Sequence, residues 1–270
     1  MNLKTDSNGI WITETEQPRV NYPESDYDYA FQIEESSFWF NHRNEIINAT
    51  IKKFPFTGNF ADIGGGNGFQ SKYLSAKFPE RKIYFVEPSY PDCLNARKRN
   101  VDNIYNIFFQ DFPFRQSNIG GIGLFDVLEH IEDDAGFLSE LGSLVEKGTH
   151  IYITVPAYQW LWSDVDDYSE HFRRHDRKSI NELAEKCGMN VLFNSKCFFY
   201  LPFLTFPLRS IPYRLSGKRN HQSLINREMK NHQTGMLSGK IFDALNRVEL
   251  SYFAKDKINF GASCIAVFQV

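Results

Sequence analysis

Residues 59–74 read NFADIGGGNGFQSKYL. A short apolar run ends in Asp62, the glycines Gly64, Gly65, Gly66 and Gly68 follow, and a helix-forming segment begins at once. Glycine lets the backbone turn with positive φ and lets a ligand lie against the main chain with no Cβ in the way. The helix that follows offers free N–H groups at its start. The dinucleotide fingerprint G-x-G-x-x-G would place its third glycine at 69, where this chain has Phe69. Glycines at 64, 66 and 68 behind Asp62 instead give D-x-G-x-G-x-G.

Outward from this turn the pattern alternates. RKIYFVE (81–87), IYNIFF (104–109), IGGIGLFDVL (119–128), HIYITVP (150–156), MNVLF (189–193) and ASCIAVFQV (262–270) read as strands. Residues 68–78, 91–99, 133–148 and 177–187 read as helices. In DDAGFLSELGSLVEKG (133–148), Phe137, Leu138, Leu141, Leu144 and Val145 fall on one helical face. Acids stand at its start, Lys147 near its end, and Gly148 stops it. Strands alternating with helices predict an α/β fold, a mostly parallel doubly wound sheet covered on both faces. Such sheets bind ligands beyond the carboxyl ends of their strands, where the strand order reverses.

The pattern divides the chain. Residues 1–57 form an acidic, aromatic lead-in with a helix over 34–53, and 58–193 form the core. Residues 194–261 are an insertion, apolar first, then basic, then helical near 236–249; 262–270 supply the final strand.

Acids sit where ligands are expected. Glu87 closes a strand 21 residues after Gly66, a position from which a carboxylate accepts hydrogen bonds from vicinal ribose hydroxyls. Asp111 follows the IYNIFF run and could accept from an adenine amino group; the alternative is a plain exposed turn acid.

The order DIGGGNG, VEP, QD, FDVLEHIEDD resembles the class I S-adenosylmethionine-dependent methyltransferases, and more narrowly their small-molecule branch with a D-V-L-E-H-I stretch. The resemblance covers residues 35–200 and the final strand. FWFNHRN (38–44) and DDYSEHFRRHDRKSI (166–180) resemble a subset encoded near sugar and cell-surface biosynthesis genes. The resemblance implies a seven-stranded Rossmann-like sheet of order 3-2-1-4-5-7-6 with the last strand antiparallel, an N-terminal helical lid and an inserted cap. It implies S-adenosylmethionine as cofactor. It assigns Asp62, Gly64, Gly65 and Gly66 to the binding turn, Glu87 to the ribose and Gln110 with Asp111 to the adenine. Asp126 falls under the methionine part. The three glycines of IGGIGLFD depart from the bulky residues usual in the fourth strand, leaving its register open.

Methyl transfer from a sulfonium needs alignment above all, and positioning can supply about 7–11 kcal/mol. A base is needed only where the acceptor must lose a proton. His130 and His171 are the candidates, against plain helix-start and loop histidines. No metal-ligand spacing is legible, so metal assistance is not expected. Arg173 and Arg174 could clamp an anionic substrate or pair with nearby acids. Arg43, one helical turn from Trp39, could meet the methionine carboxylate. Tyr158, Trp160 and Trp162 line either a substrate pocket or the core.

Composition narrows the rest. The chain has 270 residues, 42% hydrophobic and 23% charged, which excludes a disordered chain. Its four cysteines (93, 187, 197, 264) lie far apart without CxxC, against zinc knuckles or a disulfide framework. A net charge of −3 implies no general attraction to nucleic acid. No secretory leader is visible, and CFFYLPFLTFPL (197–208) is too short and proline-broken to span a bilayer, so a cytoplasmic protein is expected. Charge is nevertheless uneven. Residues 1–40 hold eight acids against Lys4 and Arg19; 209–240 hold seven Lys and Arg against Glu228. Apolar bulk beside Arg209, Arg214, Lys218 and Arg219 (197–219) suits core packing, a homodimer contact, or peripheral contact with an anionic membrane. The expected activity is methyl transfer to an oxygen, then nitrogen or carbon, of a small-molecule, sugar or lipid-linked acceptor. The rival readings are a non-catalytic methyltransferase-like binding module, a nicotinamide-dependent oxidoreductase, and a nucleic-acid methyltransferase resting only on the basic run.

Overall fold

The computed structural model describes residues 3–13, 31–216, 236–253, 255 and 257–270. Along the chain run β1 (Leu3–Thr5), β2 (Trp11–Thr13), α1 (Phe38–Lys53), β3 (Asn59–Ile63) and α2 (Phe69–Lys77). Then come β4 (Ile83–Val86), α3 (Tyr90–Lys98), β5 (Ile104–Asn106), β6 (Ile119–Phe125), α4 (Asp134–Leu144) and β7 (His150–Pro156). Next are α5 (Asp164–Tyr168), α6 (Arg177–Lys186), β8 (Asn190–Cys197), α7 (Leu201–Thr205) and α8 (Ile211–Ser216). The chain ends in α9 (Met236–Phe253) and β9 (Ser263–Gln269).

The sheet has nine strands in the order β1-β2-β5-β4-β3-β6-β7-β9-β8. From β5 to β7 every pairing is parallel, and β9 runs antiparallel to both neighbours. The seven expected strands stand in the expected order, but the count of seven is corrected to nine. The extra pair comes from the lead-in. Asp6 Oδ1 accepts from the N–H groups of Asn8 (2.8 Å) and Ile10 (2.9 Å), closing a tight turn that folds β1 against β2. Trp11 then stacks on Tyr105 of β5, 5.8 Å between ring centres.

Two other boundaries move. IYNIFF stops being a strand at Asn106, because Phe109 and Phe112 turn into the core and Phe108 turns outward. MNVLF continues to Cys197, so the segment between β8 and β9 begins at Phe198 and not at 194. The glycines of β6 are packing sites. A Cβ on Gly121 would stand 2.7 Å from the Phe56 ring, and one on Gly120 would strike the Thr57 carbonyl. The register of β6 is thereby set, with Gly123 opposite Asp62.

Both faces are covered. One core holds Ile122, Leu124, Ile151 and Ile153 under Leu138 and Leu141 of α4 and Ile180 and Leu183 of α6. The other holds Phe60, Tyr152, Phe193 and Val267 under Ile46, Ile47 and Ile51 of α1 and Phe253 of α9. Buried His42 of α1 meets Glu249 of α9 at 2.6 Å, and Glu249 also accepts the N–H groups of Phe198 and Phe199. No helix among the described residues is long and apolar enough to cross a membrane. Most of the acidic run (Glu14, Glu16, Glu24, Asp26, Asp28) and the bases Lys218, Arg219, Arg227 and Lys230 lie outside the described residues.

Candidate active site at the β3/β6 switch

The chain runs outward from β3 to β4 and β5, then returns to place β6 on the other side of β3. In doubly wound sheets that reversal is where a ligand crevice forms, here at the carboxyl ends of β3 and β6. The glycine turn forms one wall. Gly64 and Gly66 have φ of 69° and 53°, in the left-handed region that favours glycine. A Cβ on Gly66 would meet nothing within 4 Å, so the main chain there faces open space. Gly65 and Gly68 lack a side chain for packing reasons. A Cβ on Gly65 would stand 2.6 Å from the Phe85 ring, and one on Gly68 2.6 Å from Ala96 Cβ.

Asp62 and Glu87 brace this turn in different ways. Asp62 is 1% exposed and accepts from Ser71 Oγ at 2.6 Å, tying the end of β3 to α2. Burial pushes its carboxyl up to about 6. Glu87 accepts from the Gly66 N–H (3.0 Å) through Oε2 and from the Ser89 N–H (2.8 Å) through Oε1. Burial, then the charge of Asp92, pushes Glu87 up to about 8. Each oxygen keeps a lone pair for a further donor. A network that sequence reading missed holds the turn from outside. Buried Arg99 pairs with Glu34 and donates to the carbonyls of Asn67 (3.0 Å) and Phe31 (2.8 Å).

Two expected residues meet each other. Asp126, with φ of 57° just beyond β6, accepts from Arg43 of α1. Arg43 also donates to Gln70 Oε1 at 2.8 Å and lies over Trp39, 4.8 Å from the ring centre. Its Nε is buried and has no partner among the described residues. Gln110 and Asp111 sit on a 3-10 turn after β5. Gln110 is exposed and donates to Glu140 at 3.0 Å, whereas Asp111 is half-buried.

A second cluster stands beyond Asp126. Glu129 and His130 lie on the 3-10 turn Leu128–His130, and His171 lies on the loop after α5. The Phe172 N–H donates to the Glu129 carbonyl at 2.8 Å, pinning the two segments together. The rings of His130 and His171 meet edge-on, 4.7 Å between centres. His171 Nδ1 lies 3.0 Å from Asp166 Oδ1. Asp166 is fully buried. Although burial raises its pKa, His171 and Arg174 hold it down at about 2. His130 is pushed down to about 4, by burial first and then by His171. Glu129 is 1% exposed, its Oε2 has no partner among the described residues, and burial and Asp126 raise its carboxyl well above the usual range. One oxygen or nitrogen each of Glu129, His130 and His171 lie within 4.8 Å of one another. No metal-ligand spacing was legible in the sequence, and these three residues come together only in the fold.

The arginines read as anion clamps are engaged within the chain. Arg174 donates to Asp166 from Nε (2.6 Å) and Nη2 (3.0 Å), and Arg173 pairs with Asp134 at 2.7 Å. These contacts are the pairing with nearby acids that was the other reading of both residues. Tyr158 stacks on Trp160 and receives Lys196 Nζ 4.3 Å over its ring. Trp162 donates to Asp167 at 3.0 Å.

Residues 39–193 match the family model described as methyltransferase domain. A search of curated proteins finds no match. Among solved structures, a chain of the Haloferax volcanii complex between the Trm112 methyltransferase activator and a methyltransferase is similar. It has a TM-score of 0.57 and 14% identity, covering 93% of this chain and 99% of that one. A Thermotoga maritima S-adenosylmethionine-dependent methyltransferase is similar at TM-score 0.55 and 16% identity, covering 91% and 94%. Phosphoethanolamine N-methyltransferase 2 of Haemonchus contortus, bound to S-adenosyl-L-methionine, follows at TM-score 0.54 and 16% identity, covering 93% and 58%. At these identities the likeness is one of fold.

Proposed function

The chain belongs to the methyltransferase-domain family, its cofactor is S-adenosylmethionine, and we propose that it moves a methyl group to an oxygen of a small-molecule, sugar or lipid-linked acceptor. Nitrogen and carbon acceptors rank behind oxygen. The observation that carries the oxygen reading is the pair of imidazoles, His130 and His171, beside the crevice. A hydroxyl acceptor must lose a proton, whereas an amine can be delivered neutral.

The crevice fits the cofactor: Gly66 faces open space, Glu87 has lone pairs to spare, and Arg43 carries an orphaned buried Nε. When bound, the cofactor supplies a sulfonium methyl group that an acceptor can displace from sulfur. Gly64, Gly65 and Gly66 lie along it. Glu87 would hold the ribose hydroxyls, Asp111 and Gln110 would meet the adenine, and Asp126 with Arg43 would meet the methionine end. Asp62 supports the turn from beneath. The first turns of α1 close over the crevice as a lid, since Trp39 and Arg43 reach it from there. Asp166 holds the Nδ1 proton of His171, leaving Nε2 as the lone pair on offer. His130, held neutral beside it, offers Nδ1. Tyr158 and Trp162 stand on the acceptor side, after β7.

Calorimetry with S-adenosylhomocysteine tests the reading; absence of binding to the wild-type protein would overturn it. Incubation of lysate fractions with radiolabelled cofactor then identifies the acceptor, and label on an amine would move the assignment from oxygen to nitrogen. A lipid-linked acceptor is favoured by a further observation. The helical stretch from α7 to α8 leaves Phe203, Leu208 and Leu215 at 70%, 66% and 81% exposed, beside Arg209 and Arg214. An apolar face flanked by bases suits an anionic lipid surface. Phe203→Asp with Leu215→Asp should abolish co-sedimentation with anionic vesicles. Self-association in solution without vesicle binding would assign the face to a second copy.

A further inference from the structure

We propose that Glu129, His130 and His171 hold a divalent first-row transition-metal ion beside the cofactor crevice. The donors are mixed, two imidazoles and one carboxylate, the set used by three-ligand metal sites that leave a coordination position open. Their donor atoms lie within 4.8 Å of one another. Bonds of about 2.0–2.2 Å would draw them about an ångström closer, which small side-chain rotations supply.

The polar bookkeeping points the same way. Glu129 is 1% exposed, yet Oε2 has no hydrogen-bond partner among the described residues. Buried polar atoms are paired in the great majority of cases, so an orphaned carboxylate oxygen calls for a cation. His130 Nδ1 is buried and equally without a partner. The remaining nitrogen of each imidazole is occupied: His171 by Asp166 at 3.0 Å, His130 by the Ser169 backbone. A histidine whose second nitrogen is held by a carboxylate or carbonyl presents its other lone pair in a fixed direction, as metal-bound histidines do. Phe172 N–H on the Glu129 carbonyl fixes the spacing of the two segments before any ion arrives.

The inference deepens the proposed function, since an ion here would take the lone pairs of both imidazoles, bind the acceptor hydroxyl at its open position and favour loss of that proton to solvent, so that the histidines would act through the ion rather than as free bases. It also stands without that function, and its test uses neither cofactor nor acceptor. Untagged protein freed of metal with a chelator is titrated with Co²⁺ and read by visible absorption, then with Zn²⁺ in competition. One ion per chain is expected. Glu129→Gln and His171→Asn should each weaken binding about tenfold or more, and exposed Glu132→Gln should leave it unchanged. Circular dichroism checks the fold of each variant; should Glu129→Gln not fold, His171→Asn, whose side chain is 13% exposed, carries the comparison. No binding at about 1 mM metal, a dissociation energy weaker than about 4 kcal/mol, would overturn the proposal. So would binding that both variants retain. S-adenosylhomocysteine affinity, measured separately, tells failure of this site from failure of the methyltransferase reading.

Discussion

Glu87 should make cofactor-product affinity depend on pH. Its carboxyl is pushed up to about 8 by burial and then by Asp92, while two backbone N–H groups pull the other way. Only the anion accepts from both ribose hydroxyls without giving up an acceptor site. With a pKa of about 8, about 1% of the free protein is competent at pH 6 and half at pH 8. Apparent affinity for S-adenosylhomocysteine should therefore rise about fiftyfold between those pH values and level off near pH 9. Glu87→Gln should flatten the profile. At high pH it should also cost about 1–3 kcal/mol, the difference between charged and neutral hydrogen bonds, or about 5- to 150-fold in affinity. Calorimetry of both proteins at half-unit steps from pH 6 to 9 is the assay. Stability should run the opposite way. The folded carboxyl keeps its proton to about 8, whereas an unfolded one releases it at the ordinary 4.5. The fold thus binds more protons in that window and loses stability as pH rises through it. A wild-type affinity that is flat over pH 6–9, or a Glu87→Gln profile as steep as the wild type's, would refute the reasoning.

Other substitutions separate fold from site. Gly68→Ala sets a Cβ 2.6 Å from Ala96 Cβ and 2.8 Å from its Cα, so it should lower stability by about 2 kcal/mol or more in urea unfolding. Gly66→Ala has open space in front of it, so it should cost about 1 kcal/mol for its positive φ yet weaken S-adenosylhomocysteine binding at least tenfold. Arg174→Ala strands the fully buried Asp166 and should cost about 3–5 kcal/mol, whereas Arg173→Ala, at a 30% exposed side chain, should cost under about 1 kcal/mol. Ser71→Ala removes the hydroxyl from Asp62 and should cost about 1–3 kcal/mol. Because that hydroxyl favours the anion, the loss should be larger at pH 8 than at pH 5 in denaturant titrations.

What could be read from the chain followed the range of each signal. Periodicity is local, so the helices and parallel strands stood out, while the order of seven strands was implied only by the resemblance to the class I methyltransferases. β1 and β2 are three residues each, too short to alternate, and the turn at Asp6 that pairs them shows only in the fold. β8 was cut short because Asn194, Ser195 and Lys196 look like loop residues, yet all three are buried. Lys196 is accommodated by Cys264 Sγ at 2.9 Å and by the Tyr158 ring. The glycine turn was legible because it is one contiguous segment. Arg43 and Asp126 are 83 positions apart, and sequence placed both near the cofactor without joining them. Glu129 was quoted only as part of a motif, since its burial and its orphaned oxygen arise from folding alone.

The crevice has one electrostatic theme. Asp62, Glu87 and Glu129 stand at the carboxyl ends of β3, β4 and β6, and burial raises the pKa of all three. Each is an acid whose ionised form burial disfavours. A positively charged ligand reverses the balance, because a cation nearby favours the anion and the same low polarity then strengthens their attraction. Arg43 is paired with Asp126, whereas among the described residues no salt bridge reaches Glu87 or Glu129. A sulfonium cofactor against the glycine turn and a divalent ion against Glu129 would each supply the missing charge. The folded chain on its own is therefore held below its full negative charge at this crevice, and binding is the step that restores it.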